Sequence, residues 1–269
     1  MTVAKSTILR RIKPMKENKL LRGLCVLTAA LMLGLTGCAN GSDTNDSDAQ
    51  SQAATAEVQS AWTELDQTTI TKEMGMGWNL GNQLEASNAG IPSETTWGNP
   101  TISEDLIKAV KEQGFKTVRI PVSYLDKIGA APDYTIDSAW LDRVQEVVDY
   151  VVGNDLYAII NIHGDGYYTV DKSWLRCVDD NQDEIKDKYE KVWAQIADRF
   201  KDYDQHLIFE SMNEESDNTY GKPNAIGYEN INAYNQIFVD TVRKTGSNNE
   251  KRWLLIPGWN TNIEYTAGN

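Results

Sequence analysis

The chain has 269 residues, 41% hydrophobic and 24% charged, with 8 Trp, 12 Tyr and a formal net charge of −13. This balance provides for a sizeable core and excludes a wholly disordered or fibrous protein. The acidic excess repels nucleic acid and anionic membrane surfaces, so a neutral or cationic substrate is the expected partner.

The N-terminus reads as a targeting segment and not as part of the fold. Lys5, Arg10, Arg11, Lys13, Lys16, Lys19 and Arg22 precede the uncharged apolar run LCVLTAALMLGLTG, Leu24 to Gly37. That run falls short of the roughly 20 apolar residues a membrane-spanning helix needs. It closes on LTGC, Leu35 to Cys38, which resembles a bacterial lipobox. Residues 1–37 are therefore expected to be a lipoprotein signal peptide, with Cys38 carrying the lipid. The protein is expected to be exported and lipid-anchored to the membrane at the cell surface; an ordinary secreted protein is the alternative. Without residues 1–37 the chain holds 19 Lys+Arg against 38 Asp+Glu, a charge of −19. Residues 38–57 are small, polar and acidic, and read as a flexible linker. Cys177 is then the remaining thiol, so no internal disulfide is expected, and it reads as inert.

From residue 58 onward apolar runs alternate with amphipathic stretches. The runs are GMGWNL (75–80), TVRIPV (117–122), YAIINI (157–162), LIFESM (207–212) and WLLIPG (253–258). Most lack polar alternation, as expected of strands covered on both faces. Between the first two, SEDLIKAVKEQG starts at a capping Ser103 and ends at Gly114. Next, DSAWLDRVQEVVDYVVGN is capped by Asp137, and Leu141, Val144, Val148 and Val151 form one stripe. IKDKYEKVWAQIADRF (185–200) and NINAYNQIFVDTVRKTG (230–246) repeat the scheme. Strand and helix in alternation imply parallel strands with helical crossovers, in either a doubly wound sheet or a (β/α)₈ barrel. No Gly-rich phosphate loop follows any strand. Polar residues recur at the carboxyl ends of the strands, Asn79, Arg119, His163 and Glu214, where barrel enzymes build their sites. The expected fold is an α/β (β/α)₈ TIM barrel.

Trp78, Arg119, His163, Glu214 and Pro257 mark successive strands, separated by 41, 44, 51 and 43 residues. At that spacing a complete barrel needs about 135 further residues for three more strands. The expectation is an incomplete barrel with about five of eight βα units, residues 58–269 being the N-terminal part of a catalytic domain.

The stretch LIFESMNEES, Leu207 to Ser216, ends an apolar strand in acids. An acid there is costly in a core and useful in a cleft. Alternation puts Glu210, Met212 and Glu214 on one face and turns Asn213 away unless the strand end bends. Glycoside hydrolysis needs two carboxyl groups, one protonated and one ionised; Glu214 suits the first role, and Arg119 is placed to hold a partner carboxylate ionised. Glu210 reads either as a partner of Arg119 or as a buried acid satisfied by backbone. Glu215 is expected at the loop surface or rim, and His206, at the strand's amino end, is expected to be structural.

GMGWNLGNQLEA, TWGNP, GFKTVRIPV, YAIINIHGDG, LIFESMNEE and KRWLLIPGWNTN, in that order, resemble glycoside hydrolase family 5, the cellulase family, in its endoglucanase branch. The resemblance runs from about Ile70 to the last residue. It implies a (β/α)₈ barrel, a retaining endo-β-1,4-glucanase without cofactor or metal, and a β-linked polysaccharide substrate. It makes Glu214 the proton donor and general acid/base, Asn213 the hydrogen-bond partner of the sugar 2-hydroxyl, and Arg119 and His163 supports of the site. The family's nucleophile is a Glu on the seventh strand, with a His-x-Tyr pair on the sixth; both are absent from this sequence, and Glu264 has no claim to the role. The chain alone is therefore expected not to turn over substrate. Trp97, Tyr167, Tyr168, Trp174 and Trp259 are candidates for stacking on sugar rings. A monomer is expected. The alternatives are a non-catalytic surface β-glucan-binding lipoprotein, or the same enzyme class acting on xyloglucan, mixed-linkage glucan or mannan. DDNQDEIKDKYE (179–190) spaces oxygen ligands like an EF-hand but has Glu184 where the turn demands Gly, so no calcium is expected there.

Overall fold

The computed structural model describes residues 62–219 and 221–267; the expected signal peptide, Cys38 and the whole of the linker lie outside them. The elements run α1 (Gln67–Met74), β1 (Gly77–Asn79), β2 (Ser87–Asn88), β3 (Ile91–Pro92), α2 (Glu104–Glu112), β4 (Thr117–Ile120), α3 (Ser138–Val152), β5 (Tyr157–Asn161), α4 (Gln182–Phe200), β6 (Leu207–Glu210), α5 (Ala225–Lys244), β7 (Leu254–Leu255) and α6 (Ile263–Ala267), with short 3₁₀ turns between. All five expected strands form one sheet in the order β1-β4-β5-β6-β7, every pair parallel. Helices α2 to α5 are the crossovers. This is the sequential strand order of five units of a (β/α)₈ barrel.

Local chemistry accounts for the helix ends. The Ser103 side chain accepts from Leu106 N, and the Asp137 carboxylate from Ala139 N and Trp140 N, each satisfying an otherwise orphan donor of the first turn. Gly114, at φ 92°, follows α2 in the left-handed region, as a C′ glycine does. The α3 stripe is buried as expected, with Val147 added to it. Helix α4 begins at Gln182, so most of 179–190 is helix and not an EF-hand loop.

The strands separate two apolar layers. Val118, Ile120, Ala158, Ile160, Leu207 and Phe209 face outward into the main core with the helices. Tyr157, Ile159 and Ile208 face inward and meet Ile70 of α1, with Leu65, Met74 and Trp253 packed around them. Helix α1 thus plugs the amino end of the sheet's inner face. Arg252 fastens the same end: its buried guanidinium donates to the carbonyls of Phe200, Tyr203, Asp204 and Leu207 and to Asn249 Oδ1. It closes the last turn of α4 onto the entry to β6. His206 lies here too, paired with Asp204 at 3.1 Å and with its ring tilted against Tyr157 at 4.8 Å, a structural place as expected.

The sequence reading missed the β2–β3 hairpin between β1 and α2. Its turn puts Ala89 at φ 48° and Gly90 at φ 75°, the two left-handed positions of a tight hairpin. A Cβ on Gly90 would lie 2.6 Å from Asp171 O, so the glycine also permits close contact with the loop after β5.

Candidate active site

Parallel register decides which side chains meet. Arg119 lies beside Ile159, and Asn161 beside Glu210. All four face inward, so the polar members gather where the strands give out at their carboxyl ends. The Arg119 guanidinium grips Glu210 with two bonds, Nε to Oε2 at 2.6 Å and Nη2 to Oε1 at 2.5 Å. Of the two readings for Glu210, the pairing with Arg119 is the one that holds. Arg119 Nη2 also donates to Asn213 Oδ1 at 2.8 Å, and Nη1 reaches Asn79 Oδ1 at 3.4 Å. Asn161 Nδ2 donates to Glu210 Oε1 at 3.0 Å and lies 3.3 Å from His163 Nδ1. One network therefore joins the ends of β1, β4, β5 and β6.

Burial opposes the charge on Arg119, but the hydrogen bonds and charge of Glu210 outweigh it, aided by Glu214 and Tyr167, and its pKa is raised. Asn213 does not point away: regular strand ends at Glu210, the chain bends, and the amide enters the network. Its Nδ2 donates to the Tyr167 hydroxyl, which in turn donates to Glu214 Oε2 at 3.4 Å. Glu214 itself is exposed, the acid left free at the mouth.

His163 stands edge-on to Tyr167 at 6.2 Å. Burial, with the Arg119 charge beside it, pushes its pKa from 6.5 down to about 3. The ring is neutral at working pH and can offer or accept one hydrogen bond without adding charge. Below about pH 6.5 the unfolded chain binds this proton and the folded chain does not, so this group makes stability fall as pH drops toward 3. His206 has the opposite sign: its hydrogen bond to Asp204 raises the pKa, so its contribution is present below the unfolded value and lost as pH rises through the folded one. NMR titration is expected to show His163 neutral at pH 5 while His206 is protonated, and His163→Gln is expected to reduce the acid loss of stability. A His163 ring titrating near its ordinary value would contradict this geometry.

The aromatic candidates divide. Tyr167 belongs to the hydrogen-bonded site. Trp97 is 52% exposed with its indole N–H held by Ser87 O, a ring fixed and open to solvent. Tyr168 bonds Asp179 and carries the Arg176 guanidinium over its ring at 4.9 Å. Trp174 donates to Asp165 Oδ1 at 2.7 Å and has Lys188 over its ring at 4.4 Å. Trp259 is a correction: it is 1% exposed, packed on Gly227 with its N–H on Gly221 O, and serves the core and not the cleft. Glu215 is another. Expected at the rim, it is 1% exposed, because the bend after β6 that frees Glu214 turns the next side chain inward. Asn161 was missed, although it shares the His163 face by alternation and interrupts an apolar strand.

Comparison with known proteins follows the same residues. The cellulase (glycosyl hydrolase family 5) family model matches residues 81–269. Endoglucanase A of Paenibacillus barcinonensis is 63% identical over 200 residues, which make up 74% of this chain and 50% of that protein. The chain thus spans about half the length of this relative. Among solved structures, a family 5 xyloglucanase from Paenibacillus pabuli in complex with ligand is 64% identical with a TM-score of 0.74, covering 74% of this chain and 56% of that one. A GH5-4 broad specificity endoglucanase from Ruminococcus champanellensis with bound cellotriose is 42% identical with a TM-score of 0.69, covering 75% and 60%. This chain belongs to the cellulase family, glycosyl hydrolase family 5, in its endoglucanase branch.

Proposed function

We propose that this chain carries the acid/base half of a retaining endo-β-1,4-glucanase, with Glu214 as the group that protonates the leaving glycosidic oxygen. The observation behind this is an exposed carboxyl at the carboxyl end of β6, contacted by Tyr167 and set beside an Arg119–Glu210–Asn161–Asn213 network. Asn213, with its amide already anchored on both sides, is placed to meet the hydroxyl next to the reacting carbon. A retaining site needs a second carboxyl about 5 Å from the first; we assign it to a part of the barrel outside the five strands described. The 269 residues alone are then expected to leave polymer uncut.

Within the substrate class, the 64% identical xyloglucanase favours a β-1,4-glucan backbone bearing side branches. Trp97, held open to solvent, suits stacking on such a backbone. The test is release of new reducing ends from xyloglucan, carboxymethylcellulose and mannan by a barrel completed to eight strands and by the 269-residue chain. The expected result is internal cleavage of xyloglucan and carboxymethylcellulose by the former and none by the latter. Binding of glucan without cleavage by the completed barrel would favour the non-catalytic binder instead.

A further inference from the structure

Glu215 is a buried acid near the site, 1% exposed, that the proposed chemistry leaves idle. Neither carboxyl oxygen has a hydrogen-bond partner among the described residues. Burying such a group unpaired is destabilising, so its presence calls for an explanation. Its surroundings are specific. The carboxyl lies directly beneath Gly166, where an added Cβ would fall inside it; since Gly166 is not among the positive-φ glycines, it is space and not backbone conformation that calls for glycine there. Gly166 belongs to the loop after β5, which is tied down just before it: Gly164 N bonds Ser123 Oγ at 3.0 Å, and the Asp165 carboxylate accepts from Tyr124 N, Leu125 N and Trp174 Nε1. The residue just after Gly166 is Tyr167, whose hydroxyl meets Asn213 and Glu214. On the other side, Glu215 O accepts from Asn260 N at 2.9 Å, linking this short segment to the turn after β7.

We propose that Glu215 is a positioning residue that seats the Gly166–Tyr167 loop from below and thereby holds the Tyr167 hydroxyl against Glu214 and Asn213. Burial, with the nearby charge of Asp165, pushes its pKa well above the ordinary carboxyl value, so the seat is a neutral acid. An ionised one would face Asp165, with Tyr167, Cys177, Tyr189 and Tyr234 close by, and Lys188 acts on Asp165. The proposal rests on the acid/base reading of Glu214 for its catalytic meaning, but not for its geometry.

The geometry is tested on the 269-residue chain with ring-¹³C tyrosine, the Tyr167 signal being assigned by its loss in Tyr167→Phe. Glu215→Ala is expected to shift and broaden that signal, and the conservative Glu215→Gln to restore it. Gly166→Ala alone should disturb Tyr167, and adding Glu215→Ala should relieve the disturbance by removing the group the new methyl meets. If Glu215→Ala fails to fold, Gly166→Ala carries the test; a Tyr167 signal unmoved in a folded variant overturns the proposal. The catalytic consequence is read in the completed barrel. Glu215→Ala should lower kcat/KM, which reports cleavage of the glycosidic bond, about tenfold on a cello-oligosaccharide, whose leaving group needs a proton, and much less on an activated aryl cellobioside. Equal losses on both substrates overturn the positioning role. If Glu214→Gln itself shows no dependence on leaving group, the acid/base reading fails, whatever Tyr167 does.

Discussion

Glu214→Gln in the completed barrel is expected to lower turnover of polymeric β-glucan by about 10²–10⁴-fold, the usual worth of a positioned acid/base. The amide keeps the size of the side chain and can still meet the Tyr167 hydroxyl, now 3.4 Å away, but it has no proton to give. The loss in kcat/KM should shrink on substrates with an activated aryl leaving group, because the first bond cleavage there needs little protonation. On these substrates kcat should stay low, because hydrolysis of the glycosyl-enzyme still needs the base. Stability should change little: Glu214 is exposed, and the bonds from Arg119 run to Glu210, Asn213 and Asn79 and not to it. Surface changes of this kind usually stay within about 0.5 kcal/mol. Kinetics on cellotetraose and on an aryl cellobioside, with urea unfolding of the same variant, separate the two effects. Cleavage of cellotetraose within a few-fold of wild type would refute the assignment.

What could be read from the sequence was what local physics decides. Most of the five strands are legible as apolar runs without polar alternation. The central three, β4, β5 and β6, are covered on both faces, while β1 and β7 at the sheet's edges are partly exposed. Ser103, Asp137 and Gly114 mark helix ends through their own backbone chemistry. Arg119, His163, Asn213 and Glu214 stood out because a polar side chain at the end of such a run has no place in a core. The contacts that arrange them were not legible. Arg119 and Glu210 are 91 residues apart, and Tyr167 and Asn213 are 46 apart; only register brings them together. The same limit explains the errors. Nothing local says whether the chain bends after Glu210, so alternation leaves Asn213 turned away unless the strand end bends, and it leaves Glu215 expected at the loop surface or rim. Nothing local distinguishes Trp259, sunk on Gly227, from Trp97, held open to solvent. The resemblance to a family carried roles for these residues, but not which neighbours hold them in place.

Arg119→Met should damage both stability and chemistry, and the two can be told apart. Arg119 and Glu210 are largely buried, their side chains 24% and 11% exposed, and joined by two parallel bonds. Removing the cation leaves Glu210 with Asn161 as its remaining side-chain donor, and an uncompensated buried charge typically costs about 3–5 kcal/mol. The same change frees Asn213 Oδ1 from its 2.8 Å anchor, loosening the residue that precedes Glu214. Arg119→Lys keeps a charge but cannot reproduce the two-bonded grip, so it should fall between the two in urea unfolding. The decisive comparison is Arg119→Met combined with Glu210→Met. A buried ion pair replaced by well-packed apolar groups is often neutral or stabilising, so the double variant should recover most of the lost stability. It should not recover turnover, because no donor then reaches Asn213 from β4. If the double variant regained activity along with stability, the pair would be a fold element that happens to lie near the site. If stability returned while kcat stayed low, Arg119 would be a positioning residue for Asn213 and, through it, for the acid beside it.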